Sequence, residues 1–218
     1  MMATDPSESG SWDGYSWAEA EGAAEKMALR APTFAVALAK ALTPARRAAY
    51  AGGNLATATE KVVIQAPVGR VYARVSDVTQ MGRWSPENIG ATLVRGGTAC
   101  RGTIFDGLNT RGRLRWTTRC EVTVAEENEC FAFKVKAIGW GRPLLRFPIA
   151  TWTYRFQEID TGTTAVSETW AVGPWPRPVI DAIEHWSADG LTGAEIQRRN
   201  MVITLRNLKQ GLETETRT

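Results

Sequence analysis

The sequence reads as an α+β fold: a seven-stranded antiparallel sheet curled around one long C-terminal helix, with a hollow between them and an α-helical extension in front. Three observations predict it. Seven strand-like runs lie between residues 62 and 173, separated by turn signals such as Gly96-Gly97, Glu126-Glu127-Asn128 and Asp160-Thr161-Gly162. Several runs alternate polar with apolar residues, which means one wet and one covered face. The last element, from about 192 to 212, repeats apolar residues every three or four positions, so it presents one stripe to a partner surface.

Residues 1 to about 15 are rich in Ser, Gly, Asp and Glu without periodicity and read as disordered. Ser16 with Glu19 makes a capping-box pattern, Pro32 interrupts that helix, and a second runs from about Thr33 to Leu42. Thr43-Pro44 opens a third, which Gly52-Gly53 ends. Residues 1–59 are thus expected to be a partly disordered, Ala-rich helical extension, and residues 60–218 the folded domain.

The texture turns to β at Lys61, where Val62-Val63-Ile64 forms a short strand closed by Ala66-Pro67. Val68 to Val75 is helical, with Val68, Val71, Tyr72 and Val75 on one face, and a second helical turn carries Met81 and Trp84. Further strands follow at about 90–96, 101–109, 112–125, 129–138, 150–159 and 163–173. Alternation turns Leu114, Trp116, Thr118, Cys120, Val122 and Val124 inward. It does the same for Phe131, Phe133 and Val135, for Trp152, Tyr154 and Phe156, and for Val166, Glu168, Trp170 and Val172. In the final helix Leu191, Ala194, Met201, Leu205, Leu208 and Leu212 make the stripe, broken by Arg198. At about 1.5 Å per residue this rod is roughly 30 Å long, enough to lie across a curled sheet.

Composition narrows the function classes. Of 218 residues, 44% are apolar and 22% charged, ordinary for a globular protein, and a net charge of +3 is too weak a balance to argue for nucleic acid. Nine Trp is many for this length and points to large apolar walls or ligand contacts. Cys100, Cys120 and Cys130 are odd in number and lack C-x-x-C spacing. They support neither a disulfide framework nor a zinc site, and fit a reducing cytoplasm. The acidic, polar N-terminus is unlike a signal peptide, and the longest apolar run, Ala31 to Leu42, is too short to span a bilayer. No phosphate-binding glycine loop and no G-x-S-x-G is present. His185 is the only histidine, so a histidine-based metal site or triad lacks parts. No metal or cofactor is expected.

The element order and a set of local strings resemble the SRPBCC superfamily, also called START-like or Bet v 1-like, in particular its polyketide cyclase/dehydrase group. The strings are Ile64-Gln65-Ala66-Pro67-Val68 with Val71-Tyr72, Ser76-Asp77, and Arg83-Trp84-Ser85-Pro86-Glu87. They continue with Gly102-Thr103-Ile104-Phe105-Asp106-Gly107 and Asn109, Trp116, Trp152-Thr153-Tyr154, and Gly162-Thr163-Thr164 with Glu168. The resemblance covers residues 60 to 212. It implies a seven-stranded helix-grip fold with a deep cavity between sheet and long helix, and ligands such as lipids, sterols or polyketides. The same fold serves carriers, receptors and enzymes, so catalysis does not follow from it.

Glu168 is the sharpest candidate site residue. An acid on that covered face loses its hydration, so it must be paired, hydrogen-bonded or raised in pKa. Either it meets a polar group of a ligand, or acts as a general acid/base, or it forms a structural ion pair with Arg198. Thr118 and Tyr154 offer hydroxyls to a ligand or serve as satisfied core groups. Trp84, Trp116, Trp152 and Trp170 suit aromatic cavity walls, joined by Phe131, Phe133, Met201 and Leu205. Trp140, Trp175 and Trp186 suit a rim or the packing of an inserted segment, Pro174 to Gly190. Asp106 reads as a turn or edge acid. Bases beside Phe34, Val36, Leu38 and Leu42 allow the N-terminal helices to lie on an anionic membrane. Packing on the domain or a homodimer contact suits them equally. The expected function is binding of a hydrophobic small molecule. The alternatives are a cyclase/dehydratase-like enzyme using the same cavity, and a membrane- or partner-recruited interaction protein.

Overall fold

The computed structural model describes residues 57–98, 100–112, 114–173 and 193–215. The expectations for the N-terminal helices and for His185, Trp175, Trp186 and Leu191 fall outside them.

The chain order is β1 (Thr57–Ile64), α1 (Val68–Ser76), a 3-10 turn (Val78–Arg83), β2 (Asn88–Arg95), β3 (Ile104–Arg111), β4 (Leu114–Glu126), β5 (Cys130–Gly139), β6 (Leu145–Asp160), β7 (Thr163–Val172) and α2 (Gly193–Glu215). The seven strands form one sheet in the order β1-β7-β6-β5-β4-β3-β2. Every neighbouring pair is antiparallel. This is the expected helix-grip architecture, with α2 laid on the inner face.

Two strands exceed their expected limits. β1 begins at Thr57, not Val62, and its first half pairs with β7 from Thr57↔Ala171 onward. Its inward residues there are Ala58 and Glu60, one small and one charged, so no apolar alternation marks it. β6 begins at Leu145, ahead of Pro148. The β5–β6 register jumps between Val135 and Ala137, from partner Ala150 to partner Arg146. Pro148 therefore sits in a bulge, where no ladder hydrogen bond is asked of it.

α1 buries Val71, Tyr72, Val75 and Ser76. Asp77 then starts the 3-10 turn by accepting from the Thr79 backbone N–H at 3.1 Å and its hydroxyl at 2.6 Å. In α2 the buried residues are Met201, Thr204, Leu205, Leu208 and Leu212, and none of residues 193–200 is buried. The main core gathers where α1 and the second half of α2 meet the sheet, around Ile64, Val71, Phe131, Phe156, Leu208 and Leu212. Tyr72 meets Phe156 edge-to-face at 5.4 Å, and Phe105 meets Phe133 likewise at 5.3 Å.

The register sorts the inner face into cross-strand rows. One row is Ala58, Trp170, Trp152 and Phe133, from β1, β7, β6 and β5. The next is Glu60, Glu168, Tyr154 and Phe131, from the same strands. Residues in a row stand directly opposite one another and share a face, so their side chains touch.

Candidate functional site

Beside the packed core the interior holds a cavity of about 170 Å³ between the sheet and the first half of α2. Its apolar walls include Trp84, Phe105, Trp116, Phe133, Trp152 and Trp170. Trp84 is brought in by the 3-10 turn, and its backbone carbonyl is tied to α2 by the Asn207 amide at 3.0 Å. Thr118, Tyr154 and Glu168 also line the cavity.

Three expected wall residues do not reach it. Phe131, Met201 and Leu205 are fully buried in packed clusters instead. Phe131 faces inward as alternation requires, but it packs into the main core, and of its row only Tyr154 and Glu168 reach the cavity. Met201 and Leu205 lie on α2 where the helix is pressed onto the strands.

Arg198 neither lines the cavity nor pairs with Glu168: its Nε lies 3.1 Å from the Glu60 carboxylate, and its side chain is 60% exposed. Glu60 stands opposite Glu168 on the adjacent strand and at the open side of the row, so it intercepts the arginine.

Glu168 has a different partner. The Tyr154 hydroxyl, its neighbour in the row, donates to Glu168 Oε1 at 2.7 Å. Glu168 is 2% exposed, and its Oε2 has no hydrogen-bond partner. Burial pushes the carboxyl up to about 8, with the Tyr154 hydrogen bond pulling slightly the other way. Burial, then the nearby carboxyl, holds the Tyr154 phenol well above its ordinary value, so it stays a donor. The buried Cys120 thiol, pushed up to about 12 chiefly by burial, is inert beside them.

A second polar group forms at the wetter end. Glu87 accepts from Arg111 Nε at 2.9 Å and from a terminal guanidinium nitrogen, and from Asn200 Nδ2 at 3.3 Å. Gln197 stands beside Glu87 and helps lower its carboxyl, while Gln197 Oε1 is buried with no hydrogen-bond partner among the described residues. Burial raises the Glu87 carboxyl, and the Arg111 charge opposes that rise. Arg111 in turn lies over the Trp116 ring at 5.6 Å. Across β2, β3 and β4, Asn88 donates to Asn109 at 3.3 Å and Asn109 to Thr118 at 3.2 Å. Gly107 makes room for this set: a Cβ there would come within 3.0 Å of Asn88 Nδ2 and 3.1 Å of Thr118 Oγ1. The Arg83–Glu87 string and Asn109 were visible as motifs, but nothing local marks Glu87, Asn88, Arg111 and Gln197 as a cluster. They come from three distant parts of the chain.

Asp106 lies elsewhere. It makes a two-pronged pair with Arg119, both bonds 2.8 Å, and lines no cavity. Trp140 is 37% exposed and also lies off the cavity. Among the described residues no group of three or more metal-ligating side chains occurs, and no helix is long and apolar enough to cross a membrane.

Replacing Arg111 by Met should show how far the pair holds Glu87. The variant leaves a largely buried carboxyl without its cation, so its pKa climbs further. A raised acid stabilises fully below its unfolded value and loses that contribution as pH rises. The variant should therefore be destabilised by about 1–3 kcal/mol at pH 7 and by less at pH 5, measured by urea denaturation. An equal deficit at both pH values would show that Glu87 does not depend on Arg111.

Comparison with known proteins places this geometry. Residues 56–213 match the family model described as polyketide cyclase / dehydrase and lipid transport. A START superfamily protein from Mycobacterium smegmatis superposes with a TM-score of 0.55 at 13% identity, covering 74% of this chain and 99% of that one. The Zhui aromatase/cyclase from Streptomyces sp. R1128 gives 0.52 at 15% identity, over 75% and 96% of the two chains. Major latex-like protein 151 from Panax ginseng gives 0.52 at 12%, over 73% and 99%. These likenesses are of fold. No curated protein matches the sequence significantly.

Proposed function

The chain belongs to the polyketide cyclase/dehydrase and lipid transport family, and from that premise we propose that it binds a small, mostly apolar molecule in the cavity between sheet and α2. One observation carries the reading: a tryptophan-walled space of about 170 Å³ with a buried carboxyl at its inner end. Protein interiors are close-packed. A space of this size walled mostly by aromatic side chains, with a few polar groups among them, is the kind that takes up a small apolar molecule. Size also limits the occupant. A cavity of about 150 Å³ admits benzene, so this one suits a single substituted ring rather than a sterol or a long lipid chain.

Titration of the full chain with toluene, followed by NMR, tests the reading. Saturable shifts of cavity residues are expected, and Ala150→Leu, which fills the space from β6, should weaken binding at least tenfold while the variant still folds. Absence of saturable binding up to toluene's solubility would sink it.

A second reading is favoured by the Tyr154–Glu168 pair. A carboxyl near pH 8 inside an apolar cavity can give or take a proton, as a cyclase- or dehydratase-like reaction would need. Turnover that survives Glu168→Gln unchanged would remove it. The three cysteines are unpaired, which suits the reducing cytoplasm to which we assign the protein.

A further inference from the structure

Two residues lining the cavity, one on each wall, each carry a buried oxygen with no hydrogen-bond partner among the described residues, and the chemistry of the two is opposite. This inference rests on the binding reading above and narrows its ligand. On the sheet wall, Glu168 Oε1 is already taken by the Tyr154 hydroxyl, which donates to it at 2.7 Å. The acid's proton therefore belongs on Oε2, which is buried and unpartnered. An un-ionised carboxyl in that position is a hydrogen-bond donor, and it lacks an acceptor. Burial that holds the group near 8 keeps the proton there at neutral pH. On the helix wall, Gln197 lines the cavity and its Oε1 is also buried, with no partner among the described residues. That oxygen is an acceptor lacking a donor. Each orphan carries a penalty that a matching ligand group relieves.

We propose that the occupant is a ring-sized hydroxy-carbonyl compound, its carbonyl oxygen accepting from Glu168 Oε2 and its hydroxyl donating to Gln197 Oε1. The aromatic walls cover the body between the two ends. A cationic ligand would instead draw the proton from Glu168, and an anion would meet no cation at the inner end, since Arg198 is committed to Glu60.

The test compares ethylbenzene, acetophenone, 4-ethylphenol, 3′- and 4′-hydroxyacetophenone and benzylamine on the full chain by calorimetry or NMR titration near pH 6. Acetophenone should bind about tenfold tighter than ethylbenzene, and the better hydroxyacetophenone about tenfold tighter again. Glu168→Leu should erase the carbonyl preference alone, and Gln197→Met the hydroxyl preference alone. Glu168→Gln, whose amide still donates, should keep the carbonyl preference but lose its decline above pH 8. Equal affinities for all the neutral probes, or benzylamine binding tightest, would overturn the proposal while leaving an apolar binding site standing. Failure of ethylbenzene along with every other probe would overturn the binding reading as well.

Discussion

Glu168→Gln should flatten the dependence of folding stability on pH. In the wild type the carboxyl stands near 8 in the fold, against 4.5 for an ordinary glutamic acid. Between those values the folded state holds a proton that the unfolded chain has released. Stability is therefore full below about pH 4.5 and falls by about 1.4 kcal/mol per pH unit as pH rises toward 8, on the order of 5 kcal/mol in all. Above 8 both states are ionised and the loss stops. Glutamine cannot ionise, yet it keeps an oxygen to accept from the Tyr154 hydroxyl. Urea midpoints from pH 5 to 9 should fall steadily for the wild type and much less for the variant. The remaining slope includes Glu87, whose carboxyl is also raised by burial. Parallel curves for the two proteins would mean that Glu168 is ionised in the fold at neutral pH.

Phe131→Ala should cost about 3–5 kcal/mol of stability and leave the affinity for ring-sized probes unchanged. The side chain is 0% exposed, and its ring centroid lies 6.3 Å from that of Phe133. Removing it opens a void inside the packed core rather than enlarging the ligand space, because Phe131 does not line the cavity. Urea denaturation gives the first number, and toluene titration well below the melting transition gives the second. A variant that stays within 1 kcal/mol of wild type, or that binds toluene differently, would show that the cavity extends past Phe133.

Period-two alternation made most of the sheet readable, and it placed Phe133, Trp152, Tyr154, Glu168 and Trp170 on the covered face. Alternation reports which face a residue takes and says nothing of its position along the hollow. That is why Phe131 and Phe133, two residues apart on β5, look alike in the sequence although Phe131 is sealed in the main core and only Phe133 lines the cavity. The Arg198 error has the same origin. A basic residue interrupting an apolar stripe looked inward toward the one buried acid, but cross-strand pairing sets a second acid, Glu60, beside it and nearer to solvent. Glu87, Asn88, Arg111 and Gln197 left no local trace because β2, β3 and α2 meet only after the sheet curls. The first half of β1 escaped notice because alanine and glutamate, the residues it turns inward, are poor markers of a strand.

The burial pattern of α2 has a mechanical consequence. From Met201 onward the helix is clamped by buried side chains, whereas none of residues 193–200 is buried, and the described contacts of that stretch include Ala194 against the small Ala58–Trp170–Met201 cluster, Arg198 with Glu60 and Asn200 with Glu87. Among the described residues, side-chain burial therefore increases along the helix from its first two turns to Met201 and beyond. Gln197 and Asn200 belong to this half-buried stretch, so the cavity wall they form rests on polar ties and one small apolar cluster rather than on fully buried side chains. A molecule bonded to both walls would act as a strut between the sheet and this half-buried stretch of helix.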